Sequence, residues 1–135
     1  MSFLPVYLDS SAVLTLVLNE RERAPLEDEL SRWPDRVSSA LTAVECWRAV
    51  RRTRAPVHTQ ATLAGLLDGL ILIRFDEALL RLATHVGPPL LRSLDAIHLA
   101  AALSIGDYPA AFITYDDRLA AAARKLKLHV VQPGR

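Results

Sequence analysis

The feature of this chain that most constrains its fold is a regular alternation between short apolar runs and longer runs with helical periodicity. The short runs, rich in Val, Ile, Leu and aromatic residues, predict buried strands, and the runs between them predict helices. Such β–α units form a mostly parallel sheet that helices cover on both faces. We therefore expect an α/β fold, a three-layer sandwich with a mostly parallel central sheet of about five strands flanked by helices.

The predicted elements follow one another along the chain without a linker or an internal repeat. The predicted strands cover residues 6–8, 36–38, 70–75, 111–115 and 128–131. The predicted helices cover residues 12–18, 21–33, 39–53, 57–67, 76–87, 93–104 and 116–126, with Ser10 and Ser11 as the cap of the first. A length of 135 residues is usual for one domain, so we predict a single domain over residues 1–135.

Signals of cellular compartment favour the cytoplasm. The N-terminal residues lead directly into an apolar segment, without the basic region and cleavage site of a signal peptide. No apolar run reaches the roughly 18 residues of a membrane span. Cys46 is the only cysteine, which excludes an internal disulfide and a cysteine-based zinc site. We expect a cytoplasmic protein that does not associate with membranes.

Four acidic residues stand in strongly apolar sequence: Asp9, Glu45, Asp95 and Asp116. Because an unpaired buried carboxylate is costly, each is expected to have a pairing partner or a metal. Asp9, Asp95 and Asp116 fall where a predicted strand ends or a predicted helix begins, which is where open α/β sheets form their sites. A role as a helix cap or first-turn residue is the structural alternative for these three.

Glu45 lies in the middle of a predicted helix, where capping cannot explain it. Arg48 follows one turn later, so an ion pair between the two is the structural alternative. Three acids at strand ends or helix starts coincide with a fourth on a helix that could cover the same sheet edge, and this favours one shared site. Asp117, next to Asp116, is a second candidate for the last position.

The chemistry available to such a cluster is narrow. Converging carboxylates repel one another, and Mg²⁺ or Mn²⁺, which take oxygen ligands, would relieve that repulsion. One or two such ions can activate water and stabilise an in-line displacement at phosphorus, so the pattern predicts phosphodiester hydrolysis. The net charge of +1 does not mark a nucleic-acid binder. However, Arg48, Arg51 and Arg52 follow Glu45 on its helix and are candidate RNA contacts, with a solvated helix face as the alternative.

Four segments together resemble the PIN-domain ribonucleases, and among them the VapC-type toxins of bacterial toxin–antitoxin modules. They occur in family order and at family-like spacing, and the resemblance covers essentially the whole chain. The segments are LDSSAVL at residues 8–14, TAVECWRAV at 42–50, LDAIHLAAAL at 94–103 and FITYDDRLAAAA at 112–123. The block LDAIHLA together with T-x-D is the more specific part.

The resemblance implies a metal-dependent endoribonuclease with a PIN-like fold. Asp9, Glu45, Asp95 and Asp116 match the family's acidic tetrad, and Ser11 is a supporting hydroxyl beside Asp9. The implied metal ligands are Asp9, Asp95 and Asp116, with Glu45 and Asp117 as further candidates. The implied cofactor is Mg²⁺, for which Mn²⁺ can substitute. The implied partners are an RNA substrate, a cognate antitoxin and a second copy of the chain in a homodimer.

His98 and two other protein classes complete the sequence-based picture. His98 lies one turn after Asp95, and we expect it to pack or hydrogen-bond rather than to bind metal. A phosphoacceptor receiver domain needs a lysine at a late strand end, whereas Lys125 and Lys127, the only lysines, lie at the end of the last predicted helix. A catalytically silent PIN-like module that binds RNA or protein is the remaining alternative, and only a cleavage assay separates it from an enzyme.

Overall fold

The computed structural model describes residues 5–106 and 109–135. Its strands are β1 (Val6–Leu8), β2 (Arg36–Ser39), β3 (Ile71–Ile73), β4 (Ala111–Ile113) and β5 (Val130–Val131). Its helices are α1 (Ser10–Val17), α2 (Arg23–Leu30), α3 (Ala40–Arg52), α4 (Val57–Asp68), α5 (Glu77–His85), α6 (Ser93–Leu103) and α7 (Asp117–Lys125).

The strands form one five-stranded sheet in the order β3-β2-β1-β4-β5. Every pair of neighbouring strands is parallel. Parallel neighbours require crossover connections, and the helices between successive strands supply them. The predicted α/β sandwich with a central sheet of about five strands is confirmed.

Alternating side chains of β1 show how the sheet is covered. Val6 and Leu8 point to one face and join a core built with α1, α2, α3 and α4. Tyr7 points to the other face and joins a core built with α5, α6 and α7. All three side chains are at most 1% exposed. The sheet is therefore the middle layer of three, as predicted.

The strand order places a topological switch point between β1 and β4. After β1 the chain continues outward through β2 and β3 on one side, and it then returns to form β4 and β5 on the other. Leu8 pairs with Ile113, so β1 and β4 end side by side. In open α/β sheets ligands bind outside the carboxyl ends of the strands at such a point. The residues that follow Leu8 and Ile113 therefore face the expected location of a site.

Three predicted strands extend beyond the observed ones, because turn bonds replace the ladder at their ends. The N–H of Leu70 donates to Leu67 within the turn after α4, and the chain is exposed after Ile73. The N–H of Tyr115 donates to a side chain rather than to a strand. The N–H of Leu128 donates to Ala123 at the end of α7. The predicted strand ends at residues 70–75, 111–115 and 128–131 are thus wrong by one or two residues.

The bounds of the first two helices also differ from the prediction. Ser10 and Ser11 are already helical, and the cap of α1 is Asp9, whose side chain accepts from the N–H of Ala12. Helix α2 is shorter than the predicted 21–33 because the chain leaves it in a tight turn, where the N–H of Trp33 donates to Leu30. Within residues 5–106 and 109–135, no helix combines the length and apolar character needed to cross a membrane.

Candidate active site

Asp9 directly follows β1 and is only 3% exposed. Its Oδ1 accepts hydrogen bonds from Ser11 Oγ at 2.7 Å and from the N–H of Ala12 at 3.0 Å. Its Oδ2 accepts from Thr114 Oγ1 at 2.6 Å. Burial raises the pKa of Asp9, while the charge of His98 and the hydrogen bonds from Thr114 and Ser11 oppose that rise. Asp9 is thus both the helix cap and a buried carboxyl group at the switch point.

Thr114 is a site residue that the sequence analysis did not single out. Its hydroxyl donates to Asp9, and it also accepts from the N–H of Asp116 at 3.0 Å. The predicted supporting residue Ser11 works beside it, since Ser11 Oγ accepts from the N–H of Tyr115 at 2.8 Å. Together they tie the end of β1 to the segment after β4. The Thr of T-x-D was the available signal, because it directly follows an apolar strand.

Asp95 lies in the first turn of α6 and is 8% exposed. Its Oδ2 is buried, and no hydrogen-bond partner reaches it from the described part of the chain. Burial raises the pKa of Asp95, and the nearby charge of Asp116 raises it further, with a smaller contribution from Asp9; Arg92 and His98 oppose the rise. The three aspartates therefore share one electrostatic environment, in which Asp95 carries an unpartnered oxygen.

Asp116 is exposed and caps α7. Its Oδ1 accepts from the N–H groups of Arg118 at 2.9 Å and Leu119 at 3.1 Å. Asp117 is the first residue of α7 and has an 85% exposed side chain. Its Oδ1 lies 3.5 Å from both Gln132 Nε2 and Arg135 NH1. Asp116 is thus electrostatically coupled to Asp95, whereas Asp117 faces the C-terminal residues.

Glu45 reaches the same region from the middle of α3. Its Oε1 accepts from Ser10 Oγ at 3.0 Å and lies 2.8 Å from His98 Nε2. Among the described residues these contacts replace the alternative ion pair with Arg48. His98 is 2% exposed, and its Nδ1 lies 2.8 Å from the hydroxyl of Tyr7. His98 therefore hydrogen-bonds through both ring nitrogens, as the expectation of packing or hydrogen bonding requires.

The candidate arginines lie farther along α3. Arg48, Arg51 and Arg52 are exposed and line a shallow groove of about 280 Å³. In the part of the chain that the structure describes, none of the three pairs with an acid. Their charge is therefore available to an external anion, and Arg48 stands one helical turn from Glu45.

The donor set fits a hard divalent cation in chemistry. All the acidic candidates offer carboxylate oxygens, which Mg²⁺ and Mn²⁺ prefer. The unpartnered Oδ2 of Asp95 is an atom that such an ion would satisfy. Across residues 5–106 and 109–135, no three His, Cys, Asp or Glu side chains already stand together as a metal-binding group. Asp9, Glu45 and Asp116 are held by hydrogen bonds to their own scaffold rather than arranged as a complete set of ligands.

Comparison with known proteins identifies the family. The PIN domain family model matches residues 6–125. The chain belongs to the PIN-domain family. Ribonuclease VapC47 of Mycobacterium tuberculosis is 39% identical over 133 residues, which cover 96% of this chain and 97% of that protein. The predicted family resemblance, including its VapC type, is confirmed.

Solved structures of PIN-domain proteins share the fold. VapC20 of Mycobacterium tuberculosis, a toxin that cleaves the sarcin–ricin loop, superposes with a TM-score of 0.71 at 17% identity and covers 95% of this chain and 99% of its own. A toxin–antitoxin complex from Klebsiella pneumoniae gives a TM-score of 0.68 at 20% identity, with 95% and 97% of the two chains covered. At these identities the likeness supports the three-layer architecture alone.

Proposed function

We propose that this chain is an endoribonuclease that depends on Mg²⁺ or Mn²⁺ and acts as the toxin of a type II toxin–antitoxin pair. The observation that supports the proposal is that Asp9 and Asp116 follow the adjacent strands β1 and β4 at the switch point, and that burial and their charges raise the pKa of Asp95, whose buried Oδ2 has no partner among the described residues. Kinship with a VapC ribonuclease at 39% identity supports RNA as the substrate class.

The acidic residues share one role in the proposed reaction, which is to bind the divalent ion. Asp9, Asp95 and Asp116 would hold the divalent ion, with Glu45 or Asp117 as a further ligand. When bound, the ion supplies charge neutralisation and an activated water for attack on phosphorus. Asp9 accepts three hydrogen bonds, from the hydroxyls of Ser11 and Thr114 and from the N–H of Ala12. Its carboxylate therefore cannot swing away when the substrate enters.

The substrate and partners follow from the surface around this site. Arg48, Arg51 and Arg52 would bind RNA phosphates along α3. A cognate antitoxin would restrain the enzyme, as supported by the toxin–antitoxin complex that shares this fold. A homodimer and a cytoplasmic location complete the proposal, and kinship with a VapC ribonuclease supports them.

Cleavage of RNA by the purified chain is the direct test. We expect cuts with Mg²⁺ or Mn²⁺, none with chelator, and loss of cutting in Asp9→Asn, which keeps the size and capping ability of the side chain. Asp28→Asn is the matched control, because Asp28 is exposed on α2. Binding of RNA without any cleavage in either metal would instead support the silent module.

The arginines can be tested separately from the chemistry. Replacing Arg51 and Arg52 by Ala should weaken RNA binding and reduce the log–log salt slope by about 0.7 for each lost phosphate contact. Exposed Arg81 on α5, which lies 3.9 Å from Glu77, provides the control substitution Arg81→Ala. A salt slope equal to that of the wild type would return the cluster to the alternative of a solvated helix face.

A further inference from the structure

A buried chain of hydrogen bonds connects the centre of the sheet to Glu45. It runs from Tyr7 on β1 to His98 on α6 and from there to Glu45 on α3. Tyr7 and His98 are 0% and 2% exposed, whereas the Glu45 side chain is 26% exposed. This series of hydrogen bonds therefore begins in the buried interior and ends at a carboxylate that solvent and ligands can reach.

Packing fixes the inner end of this chain. The Tyr7 ring stacks on Phe112 of β4, with the ring centroids 5.2 Å apart and the planes 6° from parallel. It meets His98 edge to face, with the centroids 6.0 Å apart. Because both rings are enclosed, neither can rotate without disturbing the core. The imidazole is therefore held in one orientation relative to the sheet.

The two contacts of His98 assign its protons. The ionised carboxylate of Glu45 only accepts, so His98 Nε2 must carry the hydrogen of the 2.8 Å bond. The phenolic hydroxyl of Tyr7 can donate to Nδ1 across 2.8 Å. With Nε2 donating to Glu45, Nδ1 is the atom that can accept the Tyr7 hydrogen, which is the arrangement of the Nε2–H tautomer.

We propose that Tyr7 and His98 are positioning residues that orient Glu45 for the divalent ion. His98 Nε2 and Ser10 Oγ both bond to Oε1, and no bond from the described residues reaches Oε2. One oxygen is thus anchored to the scaffold, and the other is presented as a ligand. Partners that orient a ligating carboxylate in this way commonly change metal affinity or activity by about 10–100-fold when removed. The inference rests on the proposed metal-dependent function.

Substitutions at His98 separate positioning from simple stabilisation. Gln places its amide N–H near the position of Nε2, whereas the shorter Asn cannot reach Glu45. We expect His98→Asn to weaken Mn²⁺ binding and lower kcat by about 10–100-fold, with the KM for RNA unchanged. His98→Gln should keep most of both. Tyr7→Phe, which retains the ring stacking, should fall between them.

The measurements are Mn²⁺ titration by calorimetry, single-turnover cleavage, and ¹⁵N NMR of the imidazole in the metal-free protein. Leu63→Val, in the core under α4, controls for lost stability without touching the site. The inference is supported by the Nε2–H tautomer in the wild type together with rescue by Gln. It is overturned by an Nδ1–H tautomer, or by Asn and Gln variants that bind Mn²⁺ equally. If the wild type cleaves RNA and His98→Asn cleaves it at the same rate, this inference alone is overturned. If the wild type neither binds Mn²⁺ nor cleaves RNA, the proposed function is overturned as well.

Discussion

Replacing Asp95 by Asn should stabilise the metal-free protein. Asp95 is 8% exposed, its Oδ2 has no partner among the described residues, and burial followed by the charge of Asp116 raises its pKa. At neutral pH the folded state therefore bears the cost of an ionised, poorly solvated carboxylate. An unsatisfied buried polar group costs about 1–3 kcal/mol, and more if it is charged. Because the Asn amide also needs a partner, we expect a gain near the lower end, about 1 kcal/mol.

This free energy converts into a measurable melting shift. For a chain of 135 residues, about 1 kcal/mol corresponds to roughly 3–4 °C in Tm. A divalent ion should stabilise the wild type much more than the variant. At a hundred times its Kd the ion adds about 2.7 kcal/mol to the wild type, or about 8–10 °C, by binding only the folded state. Asp95→Asn should lose most of that increment.

Thermal unfolding followed by circular dichroism, first in chelator and then in millimolar Mn²⁺, measures the Tm difference between the variant and the wild type in both conditions. The control is Asp28→Asn, since Asp28 forms only an exposed pair with Arg32 at 3.7 Å. Its free energy of unfolding should remain within about 0.5 kcal/mol of the wild-type value, and its Tm shift in Mn²⁺ should equal that of the wild type. The reasoning is refuted if Asp95→Asn melts below the wild type in chelator, or if Mn²⁺ stabilises both proteins equally.

Two further predictions concern charge at the same site. Burial raises the pKa values of Asp9 and Asp95 above the unfolded value of 3.8, so their contribution to stability is present below that pH and is lost as the pH rises through the folded values. In chelator, urea unfolding should therefore show a larger advantage of Asp95→Asn over the wild type at about pH 7.5 than near the unfolded pKa of 3.8, and an equal advantage at both would contradict the assignment. Asp116→Asn should abolish cleavage in saturating Mn²⁺ while leaving Tm nearly unchanged, because Asn caps a helix as well as Asp does. Asp117→Asn should keep activity and lower stability by at most about 1 kcal/mol through the helix dipole, and the reverse ranking in a side-by-side cleavage assay would make Asp117 the ligand.

The architecture could be predicted from the sequence because it depends on periodicity, whereas strand ends depend on individual hydrogen bonds. The apolar run through Tyr115 predicts a strand end there, and both Thr114 and Tyr115 are indeed buried. However, the N–H of Tyr115 bonds to Ser11 Oγ, a residue more than one hundred positions away in sequence. No local pattern reports such a partner, so β4 ends at Ile113 without a signal in its own sequence.

In the candidate site, likewise, the residues could be predicted from the sequence and their contacts could not. Its acids could be named because carboxylates are rare in apolar sequence, and family resemblance ordered them. The hydrogen-bond partners could not, since Ser10 reaches Glu45 across 35 residues and Tyr7 reaches His98 across 91. A Glu45–Arg48 pair one turn apart is the structural alternative that the local sequence offers. The structure brings a buried imidazole close enough to take that place, which only the packing of α6 against the sheet makes possible.

Helix capping and metal binding, treated as alternatives for each aspartate in the sequence, are compatible uses of one position. Asp9 and Asp116 cap α1 and α7, and Asp95 lies in the first turn of α6. Each carboxylate therefore stands at a helix N-terminus, whose dipole favours an anion by about 0.3–1 kcal/mol. At each of these positions the helix N-terminus therefore offsets part of the cost of an ionised carboxylate, with or without a cation. Because Asn caps as well as Asp and only Oδ1 of Asp116 accepts hydrogen bonds from the described residues, Asp116→Asn removes the charge without removing the cap, and a loss of cleavage there would measure the charge alone.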